Sequence, residues 1–85
     1  MTKSLRSDGH ISLIQALIDA RKAEGLSQAA LAERLMCHQS FVARIESGQR
    51  RIDVPELVIL ARALDTDPFE ILTRVVNAVP EEARI

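Results

Sequence analysis

Apolar residues recur three and four positions apart along most of this chain, the spacing of one buried face on an α-helix. Leu13, Ile14, Leu17 and Ile18 share a face and predict a first helix over about 12–24. Gly25 ends it, because only glycine enters the left-handed C′ conformation without strain. Ser27 caps a second helix, and Leu26 staples onto Leu31 across that cap. Leu31 and Leu35 continue the apolar face, and Val42 and Ile45 form another on a third helix that stops at Gly48. In Asp53-Val54-Pro55-Glu56, Asp53 and Glu56 are spaced as a capping box, with Pro55 in the first turn where its missing N–H does no harm. A fourth helix follows over about 53–64. Asp67-Pro68-Phe69-Glu70 repeats the device and opens a fifth over about 67–78. No strand, repeat or low-complexity segment appears. The pattern predicts an all-α fold: a five-helix domain over 11–79, a polar disordered tail over 1–10 and a charged flexible tail over 80–85.

The stretch from Gln28 to Ser47 is the most specific. Two short helices are separated by the turn Met36-Cys37-His38, and small Ala32 lies where they come closest. Cys37 fills the apolar position of the turn. This is the pattern of a helix-turn-helix, whose second helix enters the major groove of DNA. On that helix Val42 and Ile45 face inward. Gln39, Ser40, Ala43 and Arg44 are left outward, and Arg and Gln side chains can grip guanine and adenine edges bidentately. These four are the candidate base-reading residues. Arg50 and Arg51 follow in a loop beside the recognition helix and are candidate phosphate contacts. His38 and Phe41 are further candidate DNA contacts; Phe41 either packs inward or touches a thymine methyl.

These residues resemble the lambda-repressor-like (Xre) helix-turn-helix family from about Leu13 to Leu72. Gly25-Leu26-Ser27-Gln28 looks like the family's entry into its second helix. Gln39-Ser40-Phe41-Val42 through Ile45-Glu46-Ser47-Gly48 looks like its recognition helix and the following turn, and Leu60-Ala61-Arg62-Ala63-Leu64 like its fourth helix. The resemblance implies that Gln28 touches a phosphate and braces Gln39. It also implies operator binding and transcriptional regulation. Phage-type repressors, restriction-modification controllers and antitoxins all fit. The sequence departs from the family at Met36, where glycine is usual, and at His38, where a Ser or Thr N-cap is usual.

Composition narrows the reading. The chain has 85 residues, and a domain of this size buries roughly 60% of its unfolded surface. The only aromatics are Phe41 and Phe69, so the core is aliphatic. One cysteine excludes an internal disulfide and fits a reducing compartment. No apolar run is long enough to span a membrane, and no signal peptide is evident, so a cytoplasmic protein is expected. Net charge is −1, low for a DNA binder, but it is unevenly spread. Residues 1–52 hold eight Lys or Arg against five Asp or Glu, a balance of +3; residues 53–85 hold three against seven, a balance of −4. The basic half carries the recognition helix.

No cofactor is expected. The His and Cys spacings do not suit a metal site, and neither a phosphate-binding glycine loop nor a nucleophile-base pair is present, so no enzyme is expected. The fifth helix carries a double apolar stripe: Ile71 and Val75, and beside it Leu72, Val76 and Val79. A short helix on a small core hardly buries both. Leu72, Val75, Val76 and Val79 are therefore the candidate interface of a homodimer. The alternative to a homodimeric reader of double-stranded DNA is an interaction module, such as an antitoxin, of the same fold acting through a protein partner.

Overall fold

The computed structural model describes residues 7–85. Five helices form in chain order: α1 (Asp8–Ala23), α2 (Gln28–Leu35), α3 (Gln39–Glu46), α4 (Val54–Ala63) and α5 (Pro68–Ala78). No strand occurs among the described residues. The polar residues at each helix start explain the boundaries. Ser27 accepts the Ala30 N–H at 3.0 Å. Asp53 accepts the Glu56 N–H at 2.8 Å, while Glu56 accepts the Asp53 N–H at 3.1 Å, so the capping box closes in both directions. Asp67 accepts the Phe69 N–H at 2.9 Å. Each bond satisfies a backbone donor that has no partner within its own helix.

The first helix starts earlier than the apolar pattern predicts. Ser7 caps it by accepting the His10 N–H at 3.2 Å, so 8–10 are helical and do not belong to a tail. Gly9 is the reason. It is buried, and a Cβ there would lie 2.6 Å from Val79 Cγ2 and 3.7 Å from Val75 Cγ1. The residue with no side chain lets the start of α1 press against the end of α5, a contact that apolar periodicity cannot register. Residues 1–6 of the expected tail lie outside the described residues. At the other end, Pro80 begins a turn closed by the Ala83 N–H on the Pro80 carbonyl at 3.0 Å.

The core is aliphatic throughout. Ile14, Ala16 and Leu17 of α1 meet Leu31 and Ala32 of α2, Val42 and Ile45 of α3, Leu60, Ala61 and Leu64 around α4, and Ile71 of α5. Ala32 and Ala61 are both fully enclosed, which lets neighbouring helix backbones approach closely. α1 lies along α5, with the Ser12 hydroxyl donating to the Arg74 carbonyl at 3.2 Å and Arg74 pairing with Asp19 at 3.1 Å. α2 packs directly on α3. The five-helix scaffold thus presents α3 at the surface with its apolar side held down.

Candidate nucleic-acid interface

α3 is eight residues long, too short to be stable by itself, so its position depends on what holds it. Val42 and Ile45 anchor it from below, at 1% and 3% exposure. Gln39, Ser40 and Arg44 stand exposed on the opposite side, with Ala43 half-buried between them. The structure therefore brings the four base-reading candidates onto one outward surface.

Behind that surface lies a polar chain. Gln39 Nε2 donates to Gln28 Oε1 at 2.8 Å, and Gln28 Nε2 donates to Glu46 Oε1 at 3.0 Å. Glu46 receives Arg21 through two bonds, from Nε at 2.6 Å and Nη2 at 3.0 Å. Arg21 Nη1 also donates to the Leu26 carbonyl at 2.7 Å. The Arg21 and Glu46 side chains are only 12% and 7% exposed. A bidentate, enclosed ion pair thus ties α1 to the end of α3, and Gln28 passes that anchorage to Gln39. Sequence reasoning missed Arg21 and Glu46. The available signal was a charge beside each apolar stripe: Arg21 four residues after Leu17, and Glu46 immediately after Ile45.

Both family departures lie in the turn between α2 and α3. Met36 adopts the left-handed conformation, φ 57° and ψ 45°, that glycine provides elsewhere. Its side chain is 94% exposed, so it fits sterically while the backbone bears the strain. Cys37 is half-buried against the core, and its N–H reaches the Ala32 carbonyl at 3.0 Å. His38 has the extended backbone of an N-cap but makes no side-chain capping bond, leaving an exposed imidazole at the entry to α3.

The loop after α3 turns at Gly48, φ 81°. Arg51 is exposed on it. Arg50 Nη1 and Nη2 donate to the two oxygens of Glu56 at 2.9 and 2.7 Å. The same guanidinium lies over the Phe41 ring, 4.6 Å from its centre. Phe41 packs partly inward, the first of its two sequence alternatives. The Arg50 guanidinium, followed by the Asp53 N–H, pulls the Glu56 carboxyl down to about 2. Burial, followed by the Arg51 charge, holds His10 below the usual histidine value, and its Nε2 is enclosed without a hydrogen-bond partner.

On α5, Ile71 is buried, Val75 and one side of Val79 face Gly9, and Leu72, Val76 and the rest of Val79 are exposed. Phe69, absent from the predicted stripe, is 72% exposed beside them. Among the described residues no helix is long and apolar enough to cross a membrane, and no group of three or more His, Cys, Asp or Glu is placed to hold a metal.

Known proteins resemble this chain in sequence and fold. Residues 17–71 match the helix-turn-helix family (HTH_3). Control protein C.SmaI of Serratia marcescens is 37% identical over 54 residues, covering 64% of this chain and 64% of that protein. An XRE-family-like protein of Pseudomonas syringae pv. tomato superposes with a TM-score of 0.80 at 37% identity, covering 93% of this chain and 96% of that one. The restriction-modification controller protein C.AhdI of Aeromonas hydrophila superposes with a TM-score of 0.66 at 37% identity, covering 73% of this chain and 94% of that one. With a helix-turn-helix on a five-helix scaffold, an outward polar face on its second helix and these relatives, the chain belongs to the Xre-type helix-turn-helix family of DNA-binding regulators, which are not enzymes.

Proposed function

We propose that this protein is a sequence-specific transcription regulator that binds a near-palindromic operator as a homodimer, with α3 in the major groove. The observation that carries the reading is the braced outward face of α3: Gln39, Ser40 and Arg44 are exposed, and Gln39 is already oriented by Gln28 at 2.8 Å. A side chain fixed before binding loses less freedom on contact with a base edge. Gln39, Ser40, Ala43 and Arg44 read bases, and His38 stands at the groove edge. Gln28 and Arg51 border the sugar-phosphate backbone on either side of α3. The second copy covers the exposed stripe of Leu72, Val76 and Val79, and two-fold symmetry sets two copies of α3 about one DNA turn, roughly 34–36 Å, apart. Likeness to the control proteins C.SmaI and C.AhdI favours a controller of this kind over an antitoxin acting through a partner.

Binding titrations at two salt concentrations test this. The protein should bind its operator and lose affinity steeply as salt rises. Arg44→Ala should cost about 1–3 kcal/mol and relax preference at one base pair, whereas Arg51→Ala should weaken all sequences alike and lower the salt slope by about 1. An Arg44→Ala protein with full affinity and unchanged preference would remove that residue from base reading. Absence of salt-dependent binding in the wild type would favour a module acting through a protein partner.

A further inference from the structure

Arg50 occupies a junction of three elements. Its guanidinium donates twice to Glu56 of α4, at 2.9 and 2.7 Å, and Nη1 also donates to the Arg51 carbonyl in the loop at 2.7 Å. Its flat face covers Phe41, the third residue of α3, at 4.6 Å. Glu56 is itself fixed, because it accepts the Asp53 N–H at 3.1 Å in the box that caps α4. The charge is thus neutralised within hydrogen-bond distance, and one face of the guanidinium is occupied by the ring. These bonds engage three of its five N–H donors, so a phosphate would meet a guanidinium whose charge is already offset by a bidentate carboxylate.

α3 needs such support. Its N-cap, His38, supplies no side-chain hydrogen bond, and the preceding turn runs through the strained Met36. Gln28 holds Gln39 on one side. Phe41, two residues on, is held by Arg50. From this we infer that Arg50 is a positioning residue for DNA reading: with Glu56 and Phe41 it fixes α3, and the loop bearing Arg51, against the capped start of α4, and it is not itself a phosphate contact. The inference rests on α3 being the DNA-reading helix.

Two variants separate the roles. Arg50→Lys keeps the positive charge, and lysine serves phosphates as a point charge, but it loses the planar fork and the stacking face. Glu56→Gln keeps the capping box, in which glutamine serves as well as glutamate, but loses the ion pair. Affinities for the selected operator and for an unrelated duplex are measured well below the unfolding temperature, across a salt series. Each variant should lower operator affinity several-fold, up to about tenfold, and shrink its ratio to unrelated-duplex affinity by the same factor. The salt slope should stay as in the wild type. Wild-type affinity and ratio in Arg50→Lys, together with a slope lower by about 1 in Arg50→Ala, would make Arg50 a phosphate contact and overturn the inference. A lowered unfolding midpoint with an unchanged ratio would reduce Arg50 to a stability role and overturn it as well. If either variant loses its helical circular dichroism, the other decides. A wild type without preference for any duplex would defeat the DNA-reading assignment itself, a result distinct from variants that merely match a selective wild type.

Discussion

At the scale of single residues, the site depends on one enclosed ion pair. Arg21 and Glu46 are almost wholly enclosed, and each leaves the other uncompensated if removed. Loss of one partner of such a pair destabilises strongly, because the remaining charge stays buried. Glu46→Ala should therefore lower unfolding free energy by about 3 kcal/mol, measured by urea denaturation. It also releases Gln28, which relies on Glu46 Oε1 at 3.0 Å. A change below about 0.5 kcal/mol, the usual range for surface substitutions, would show that the pair is not structural. The pair explains why part of the site was hard to read from sequence. Gln39 and Arg44 stand out as polar residues opposite an apolar face. Arg21 and Glu46 are twenty-five positions apart, and only the fold brings them together.

A second residue-scale consequence concerns acid. Glu56 is held at about 2 by Arg50 and by the Asp53 N–H, below its ordinary value of about 4.3. A carboxyl depressed in the folded state contributes stability that is fully present above its unfolded value and is lost as pH falls toward the folded one. Wild-type stability should thus decline between about pH 4.5 and 2, and Glu56→Gln should show a shallower decline over that window. Parallel urea midpoints for the two proteins across the window would show that Glu56 does not contribute.

At the scale of elements, the capped helices were the most legible. Ser27, Asp53 and Asp67 each make the capping bond that their position predicts, and the ends of α2, α4 and α5 follow within a residue. The start of α1 was not legible, because its packing residue is Gly9, which has no side chain to mark a face. The turn before α3 departs from local rules differently. Met36 bears a left-handed backbone while its side chain contacts little. Met36→Gly should remove the Cβ strain and raise stability by about 1 kcal/mol without altering DNA preference. An unfolding midpoint that stays level or falls would mean that the exposed methionine makes a contribution of its own.

At the scale of the whole molecule, α5 presents more apolar surface than one chain covers. Leu72 and Val76 are 45% and 63% exposed, while Val75 and one side of Val79 face Gly9. In the proposed dimer, the seam therefore narrows to Phe69, Leu72, Val76 and the exposed part of Val79. Val76→Asp should yield a sedimenting monomer that remains helical and binds operator much more weakly. A Val76→Asp protein that stays dimeric, or a wild type that is monomeric at high concentration, would place the seam elsewhere. The proposed dimer would matter because a net charge of −1 gives the chain little bulk attraction for DNA, and two-fold symmetry would deliver its local contacts twice.

In the proposed function, the braced face of α3, doubled by symmetry, reads DNA. Selection of bound duplexes from a random library, read by sequencing, tests it most directly. One near-palindromic site with half-sites about 10–10.5 base pairs apart, centre to centre, should be enriched, and Arg44→Ala should lose that enrichment. A library returned without an enriched sequence, or one whose enriched sites lack two related halves, would contradict it.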